Sequence, residues 1–412
     1  MPDNGLNAYE SAIVCNADWF LSRQTREGYI DAEGDEFYGI HGDATLVGHA
    51  VTVRCYASVL TGSPIYLASA RRSLDWLAAH QDSRGGWRKH SAFTLDGAQC
   101  VFEGFNAFER ITGERRYHQV LVKAADRMIT GTLASDGSLL LSDMIEIGEY
   151  AHFAFVAWKT TEEPRFRQAG ERLLAHIERN FDSSEGMWRP FDSAMLRRDA
   201  LARLLRPTLR WAMLHLPLRG RLVARISEHL APLAVIDSFP QYAMSLMDAE
   251  CLLDMLDGSC DFPRLKQQVR ATIAWTETHC QGPFPGSLVE SRRLDGDGRP
   301  CVYPIPILND TRMAALWPAT CLLIAYCGMN NHVYREKAGR VADWILTVQD
   351  DKGGFSNFQN PDGSMRPLQS GNVNFYASMA LWLFNEVYNN GRIRMFTARK
   401  PATKQSELDS LN

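Results

Sequence analysis

The residues of this chain that could do acid–base chemistry recur in short clusters, each opening an otherwise apolar segment. HGDATLVGH carries His41, Asp43 and His49, and LDGAQCVFE carries Asp96, Gln99 and Glu103. SDMIEIGEYAH follows with Asp143, Glu146, Glu149 and His152. Farther along stand Tyr242, Asp248 and Glu250 in QYAMSLMDAE, Asp310 and Arg312 in NDTRMAALW, and Asn372 and Asn374 in GNVNFYASM. Taken singly, Asp43, Asp96, Asp143 and Asp310 read as helix N-caps, accepting backbone N–H groups where the helix dipole favours negative charge. Taken together they suggest more. Asp96 and Glu103 are two helical turns apart, and Glu146 and Glu149 are one turn apart, so each pair would share a face. Carboxylates facing a common cavity push one another's pKa values apart, which separates acid from base.

Two chemistries need such a cluster. Glycoside cleavage uses one protonated and one ionised carboxylate on either side of the bond. Epimerisation or elimination at a uronate needs a Tyr, His or Glu to take a carbon-bound proton, and a cation such as Arg312 to hold the substrate carboxylate. The catalytic candidates are Asp43, Asp96, Glu103, Asp143, Glu146, Glu149 and Asp310. His41, His49, Tyr242, Arg312, Trp317 and Asn374 are the candidates for substrate binding. Phe37, Tyr38, Phe93, Phe153, Trp317 and Tyr376 could stack on sugar rings, and all six are equally ordinary core residues.

The elements that must position these residues announce themselves by repetition. NADWFLSRQTREGY at 16–29, SLDWLAAHQDSRGGW at 73–87 and VADWILTVQDDKGGF at 341–355 repeat one phrase: Asp-Trp, then Gln, then Gly. A second mark, LTGSPIY at 60–66, ITGERRY at 111–117 and TTEEPRF at 160–166, reads as a helix stop followed by a helix start. Apolar residues at three- and four-residue intervals flank each mark. The spacing of about 50 residues suits a helical hairpin with a return loop. About six hairpins fit the chain, and six can close into a ring. The expected fold is therefore all-α, an (α/α)6 toroid, with Trp on the buried stripe of each outer helix, Gln bridging backbone groups and Gly allowing a sharp turn.

Gln81-x-x-x-Gly85-x-Trp87, Gln349-x-x-x-Gly353-x-Phe355 and the weaker Gln24-x-x-x-Gly28 resemble the QW repeats of squalene and oxidosqualene cyclases. More broadly the chain resembles the α/α toroids, which include terpenoid cyclases, protein prenyltransferases and saccharide hydrolases, lyases and epimerases. The resemblance covers roughly residues 16–390 and implies the toroid, not the chemistry. A cyclase would protonate an alkene with an Asp, and LNDTRMAAL around Asp310 is similar to such a motif, though Ile307 and Asn309 stand where DxDD has carboxylates. The Asp-x-Cys and His set that holds zinc in prenyltransferases is not found, so neither a metal nor a cofactor is expected; phosphate loops and nucleophile elbows are lacking too.

Bulk properties narrow the field. With 412 residues, 45% of them hydrophobic, and a net charge of −4, the chain can bury a large core and does not look like a nucleic-acid binder. Nine scattered cysteines without a CxxC pair suit a reducing compartment, and the first residues lack a secretory pattern, so a cytoplasmic location is expected. Residues 195–234 break the repeat with a helical insertion bearing eight arginines, two acidic residues and Trp211. Such a segment suits either an anionic membrane surface or a lid or subunit contact. Residues 1–398 are expected to form one toroid domain including that insertion, and 399–412 a disordered tail. The leading expectation is a saccharide-processing hydrolase, lyase or epimerase, on a uronate-containing or lipid-linked glycan. The alternatives are a terpenoid cyclase using Asp310 and a non-enzymatic binding scaffold. The oligomeric state is left open.

Overall fold

A computed structural model of the chain describes residues 5–31, 43–87, 96–138, 140, 147–179, 181–183, 186–188, 263–289, 293–294, 300–301, 313–329, 332–366 and 369–389. Eleven helices lie among them: α1 (Ala8–Ser22), α2 (Ala44–Thr61), α3 (Pro64–His80), α4 (Asp96–Thr112), α5 (His118–Thr132), α6 (Ile147–Thr161), α7 (Pro164–Arg179), α8 (Pro263–His279), α9 (Leu316–Gly328), α10 (His332–Thr347) and α11 (Gly371–Tyr388). Seven two-residue strands line the return loops. They are β1 (Phe181–Asp182), β2 (Met187–Trp188), β3 (Leu288–Val289), β4 (Arg293–Leu294), β5 (Pro300–Cys301), β6 (Ala314–Ala315) and β7 (Phe358–Gln359). β1 pairs with β2 and β4 with β5, while β6 lies between β3 and β7; all the pairs are antiparallel.

Two kinds of helix alternate. α2 runs ATLVGHAVTVRCYASVLT with every residue from Ala44 to Ser58 buried, and α9 and α11 are buried almost all round. A helix apolar on all sides belongs inside. The outer helices α1, α3, α5, α7, α8 and α10 bury one stripe only, as in PIYLASARRSLDWLAAH of α3, where Tyr66, Ala70, Leu74 and Leu77 face inward and the arginines do not. α2 packs against α4 on one side and α11 on the other, α4 touches α6, and α9 packs on α11. The chain is an all-α (α/α)6 toroid, as its sequence predicts. The insertion at 195–234 and the tail at 399–412 lie outside the described residues.

The repeated phrase is the seam between neighbouring outer helices, and each of its residues has a task. Asp18, Asp75 and Asp343 accept the hydroxyl protons of Tyr66, Tyr117 and Tyr9 from the next outer helix, at 2.8, 2.7 and 2.6 Å. Trp19, Trp76 and Trp344 are buried. Gln24, Gln81 and Gln349 donate to the carbonyls of Ser69, Val120 and Ala12, again on the next outer helix, at 2.9, 2.9 and 2.8 Å. The same amides reach back to the carbonyls of their own turn glycines. The last seam closes the circle: Gly353, with φ of 86°, lies so near α1 that a Cβ would stand 2.1 Å from the Cys15 carbonyl oxygen. No residue but glycine fits both that dihedral and that approach.

The stop–start mark is equally regular. Thr61, Thr112 and Thr161 each bond back to the carbonyl four residues earlier and accept the N–H two residues later. The residue between is left-handed: Gly62, Gly113 and, in the third copy, Glu162 with φ of 62°. Among the described residues no helix is long and apolar enough to cross a membrane.

Candidate functional site

Each return loop delivers the chain from an outer helix to the N-terminus of an inner one, so the first turns of the inner helices gather at one end of the ring. A Cβ on Gly371, at the start of α11, would stand 1.8 Å from a methyl of Leu46 in the first turn of α2. One on Gly104 of α4 would stand 2.7 Å from the Gly48 carbonyl oxygen of α2, which brings the backbone beside Glu103 close to the backbone beside His49. Phe102 of α4 meets Phe153 of α6 at 6.0 Å between centroids.

His49 is the unusual member of this end. The ring is 1% exposed, and neither nitrogen has a hydrogen-bond partner among the described residues. It stacks on Phe375 of α11 at 4.2 Å and 6°, and meets Tyr376 edge-on at 5.8 Å. Tyr376 in turn meets the half-buried Trp317 of α9 at 4.5 Å and 86°. Burial alone pushes the imidazole pKa down to about 3, so the ring is neutral at ordinary pH. A buried imidazole with both nitrogens unpaired costs free energy, and such costs gather at functional sites. His152, buried on α6, lies edge-on to Phe153 at 4.9 Å.

Other candidates are placed as follows. Asp43 is fully buried and accepts the Thr45 N–H at 2.8 Å, which makes it the N-cap of α2. Glu103 is half-buried on α4. Asp96 opens α4 and Glu149 lies on α6, but their side chains fall outside the described residues, as do His41, Asp143, Glu146, Tyr242, Asp310 and Arg312 altogether. Asn374 needs a correction. Its Nδ2 donates to the Phe355 and Ser370 carbonyls at 3.1 and 2.8 Å, and its Oδ1 accepts from Phe355 N and Asn16 Nδ2 at 2.7 and 2.8 Å. All four positions of the amide are filled, so nothing is left for a substrate. Among the described residues no group of His, Cys, Asp and Glu could hold a metal ion. Phe375 was not legible as a partner of His49, because more than 320 residues separate them and only ring closure brings them together.

Neither a family model nor a curated protein sequence matches the chain. Solved structures do. A cellobiose 2-epimerase from Spirochaeta thermophila superposes with a TM-score of 0.60 at 14% identity, over 90% of this chain and 93% of its own. A D-mannose isomerase gives 0.60 at 11% identity, over 94% and 99% of the two chains. An unsaturated glucuronyl hydrolase specific for heparin gives 0.60 at 10% identity, over 93% and 98%. Identities this low establish the shared toroid over nearly the whole length and nothing finer.

Proposed function

We propose that the chain is a saccharide-processing enzyme working by proton transfer at the inner-helix N-terminal end, with His49 as the proton-accepting group and epimerisation or isomerisation of a reducing sugar as the reaction. The observation that carries this reading is His49: a desolvated, neutral imidazole with no hydrogen-bond partner among the described residues, packed on Phe375 and Tyr376, with Trp317 against the latter, surfaces of the kind sugars stack on. Its basicity in the free protein is low because nothing solvates its protonated form. A bound sugar supplies hydroxyl groups that do, and the pKa rises toward the range useful for catalysis.

The step balances without an oxidant or reductant. His49 takes the proton from the carbon beside the open-chain carbonyl, the electron pair moves to the carbonyl oxygen, and an enediolate forms. Return of a proton to the opposite face of that carbon epimerises the sugar. Return to the neighbouring carbon, with transfer between the oxygens, isomerises it. An epimerase and an isomerase of sugars share the toroid, as does a glucuronyl hydrolase, so the preference for proton transfer over hydrolysis rests on the state of His49.

The test is incubation with mannose, glucose and cellobiose in D2O. Deuterium should enter the carbon next to the carbonyl with the wild-type protein and not with His49→Phe. Release of glucose from cellobiose without deuterium uptake would replace the proposal with hydrolysis, and full activity of the variant would remove His49 from it. A second reading, the terpenoid cyclase, draws on the same aromatic wall, which would also shelter a carbocation; squalene or a linear isoprenoid diphosphate in a parallel incubation distinguishes the two.

A further inference from the structure

Contacts fix the direction of each face of α11. Phe375 and Trp382 stack on His49 and Tyr56 of α2, at 4.2 and 4.8 Å. Tyr376 meets Trp317 of α9 at 4.5 Å. Toward the outer helices, Asn374 and Ser378 bond to Asn16 of α1, and Phe384 lies 4.0 Å from where a Cβ on Gly339 of α10 would stand. At about 100° per residue, the direction between the inner helices α2 and α9, and away from α1 and α10, belongs to Asn372, Met379 and Leu383. Burial along this inward face is graded. Met379 and Leu383 are buried and floor the interior, Tyr376 beside them is 5% exposed, and Asn372, in the first turn, is half-buried. The face thus opens toward the end where the inner helices begin.

Asn372 contrasts with Asn374. The amide of Asn374 has every position filled, whereas that of Asn372 makes no hydrogen bond with any described residue. Asn372 stands one turn before Tyr376, with about 6 Å between their Cβ atoms. The His49 ring, stacked on Phe375, lies about 5 Å farther down the axis of α11. A sugar carbonyl and the carbon beside it fit that interval.

We propose that Asn372 is a further catalytic residue at the His49 end, its amide Nδ2 donating to the carbonyl oxygen of an open-chain sugar; this rests on the proton-transfer reading of His49. When His49 takes the proton from the neighbouring carbon, the C–H electron pair becomes a carbon–carbon double bond and the carbonyl π pair moves onto the oxygen. Asn372 holds that oxygen as it turns negative, and return of a proton to carbon sends both pairs back. A donor already in place needs no reorganisation at that moment. The first turn of α11 adds the positive end of the helix dipole. The substrate class that follows is a sugar with a free carbonyl, not a glycoside blocked at that carbon.

The experiment is deuterium exchange into mannose, glucose and cellobiose by the full chain, with kcat and KM measured separately. Asn372→Ala should lower kcat about 100-fold and leave KM within about threefold. Asn372→Asp, of the same size, sets a negative charge against the oxyanion and should lower kcat further than alanine does. Both variants should melt no more than about 2 °C below the wild type, because no bond of the folded chain is lost. Wild-type exchange with kcat unchanged in both variants, or with the aspartate more active than the alanine, overturns this inference and leaves His49 in place. So does a fall in kcat that comes with a large loss of melting temperature, which makes Asn372 structural. No exchange by the wild type on any of the sugars removes the reading of His49 and this inference with it.

Discussion

Acid should find out His49. Its imidazole has a pKa of 6.5 when exposed and about 3 in the folded protein. Between those values the unfolded chain binds a proton that the folded one refuses, so stability falls as pH drops below 6.5 and the loss is complete only near 3. At about 1.4 kcal/mol per pKa unit, lowering the pH from 7 to 5 removes about 2 kcal/mol through this one residue. His49→Phe keeps a ring against Phe375, 4.2 Å away in the wild type, and cannot titrate. Urea unfolding of both proteins at the two pH values isolates the term, because every other titrating group is common to both. The wild type should lose about 2 kcal/mol more than the variant. Losses equal to within about 0.5 kcal/mol would mean that the ring is solvated or paired, and the argument for its role would fall with that result.

The seams and caps supply three further tests. Gly353→Ala places a Cβ 2.1 Å from the Cys15 carbonyl, whereas Gly363→Ala, at nearly the same φ, meets nothing within 4 Å. Thermal unfolding should show a loss of about 1 kcal/mol for the second and well over twice that for the first; equal losses would refute the close approach. Glu162→Gly should stabilise by up to about 1 kcal/mol, since it puts glycine where Gly62 and Gly113 already serve the sister turns, and a decrease would show that the left-handed backbone there is not strained. Asn374→Ala strips partners from Asn16, Ser370 and both backbone groups of Phe355. It should cost about 3 kcal/mol or more in urea unfolding, and a cost below about 1 kcal/mol would contradict its part in holding the Phe355 turn against α1 and α11.

Much of the fold was legible because the seam is written in the sequence. Trp, Gln and Gly of the repeat do what their spacing suggests, since a buried indole, an amide with two donors and a left-handed turn are local demands. The Asp of the same phrase was less transparent: its partners are Tyr66, Tyr117 and Tyr9, and the last of these comes from the other end of the chain. Arg54 shows the same limit. It interrupts an apolar helix, and the structure buries it completely, donating to the Ala50 carbonyl and the Ser73 hydroxyl at 2.8 and 2.9 Å within the network begun by Gln24. An arginine on an inner helix is visible by eye; its destination in a seam and not in the ring's interior is not. At the candidate site the pattern picked out His49 by its position on α2 but could not supply Phe375. Asn374 was misjudged because a polar residue opening an inner helix looks the same whether it faces a ligand or latches a turn.

Closure leaves the two extremes of the ring side by side, with Asn7 Nδ2 donating to Asn385 Oδ1 at 2.8 Å. On the ribosome, α1 emerges hundreds of residues before the helix it must lean on, so the last seam can lock only after α10 and α11 have been made. The neighbouring extremes also make the ring a natural subject for circular permutation: a short linker could join them, and new ends could be opened at any other return turn.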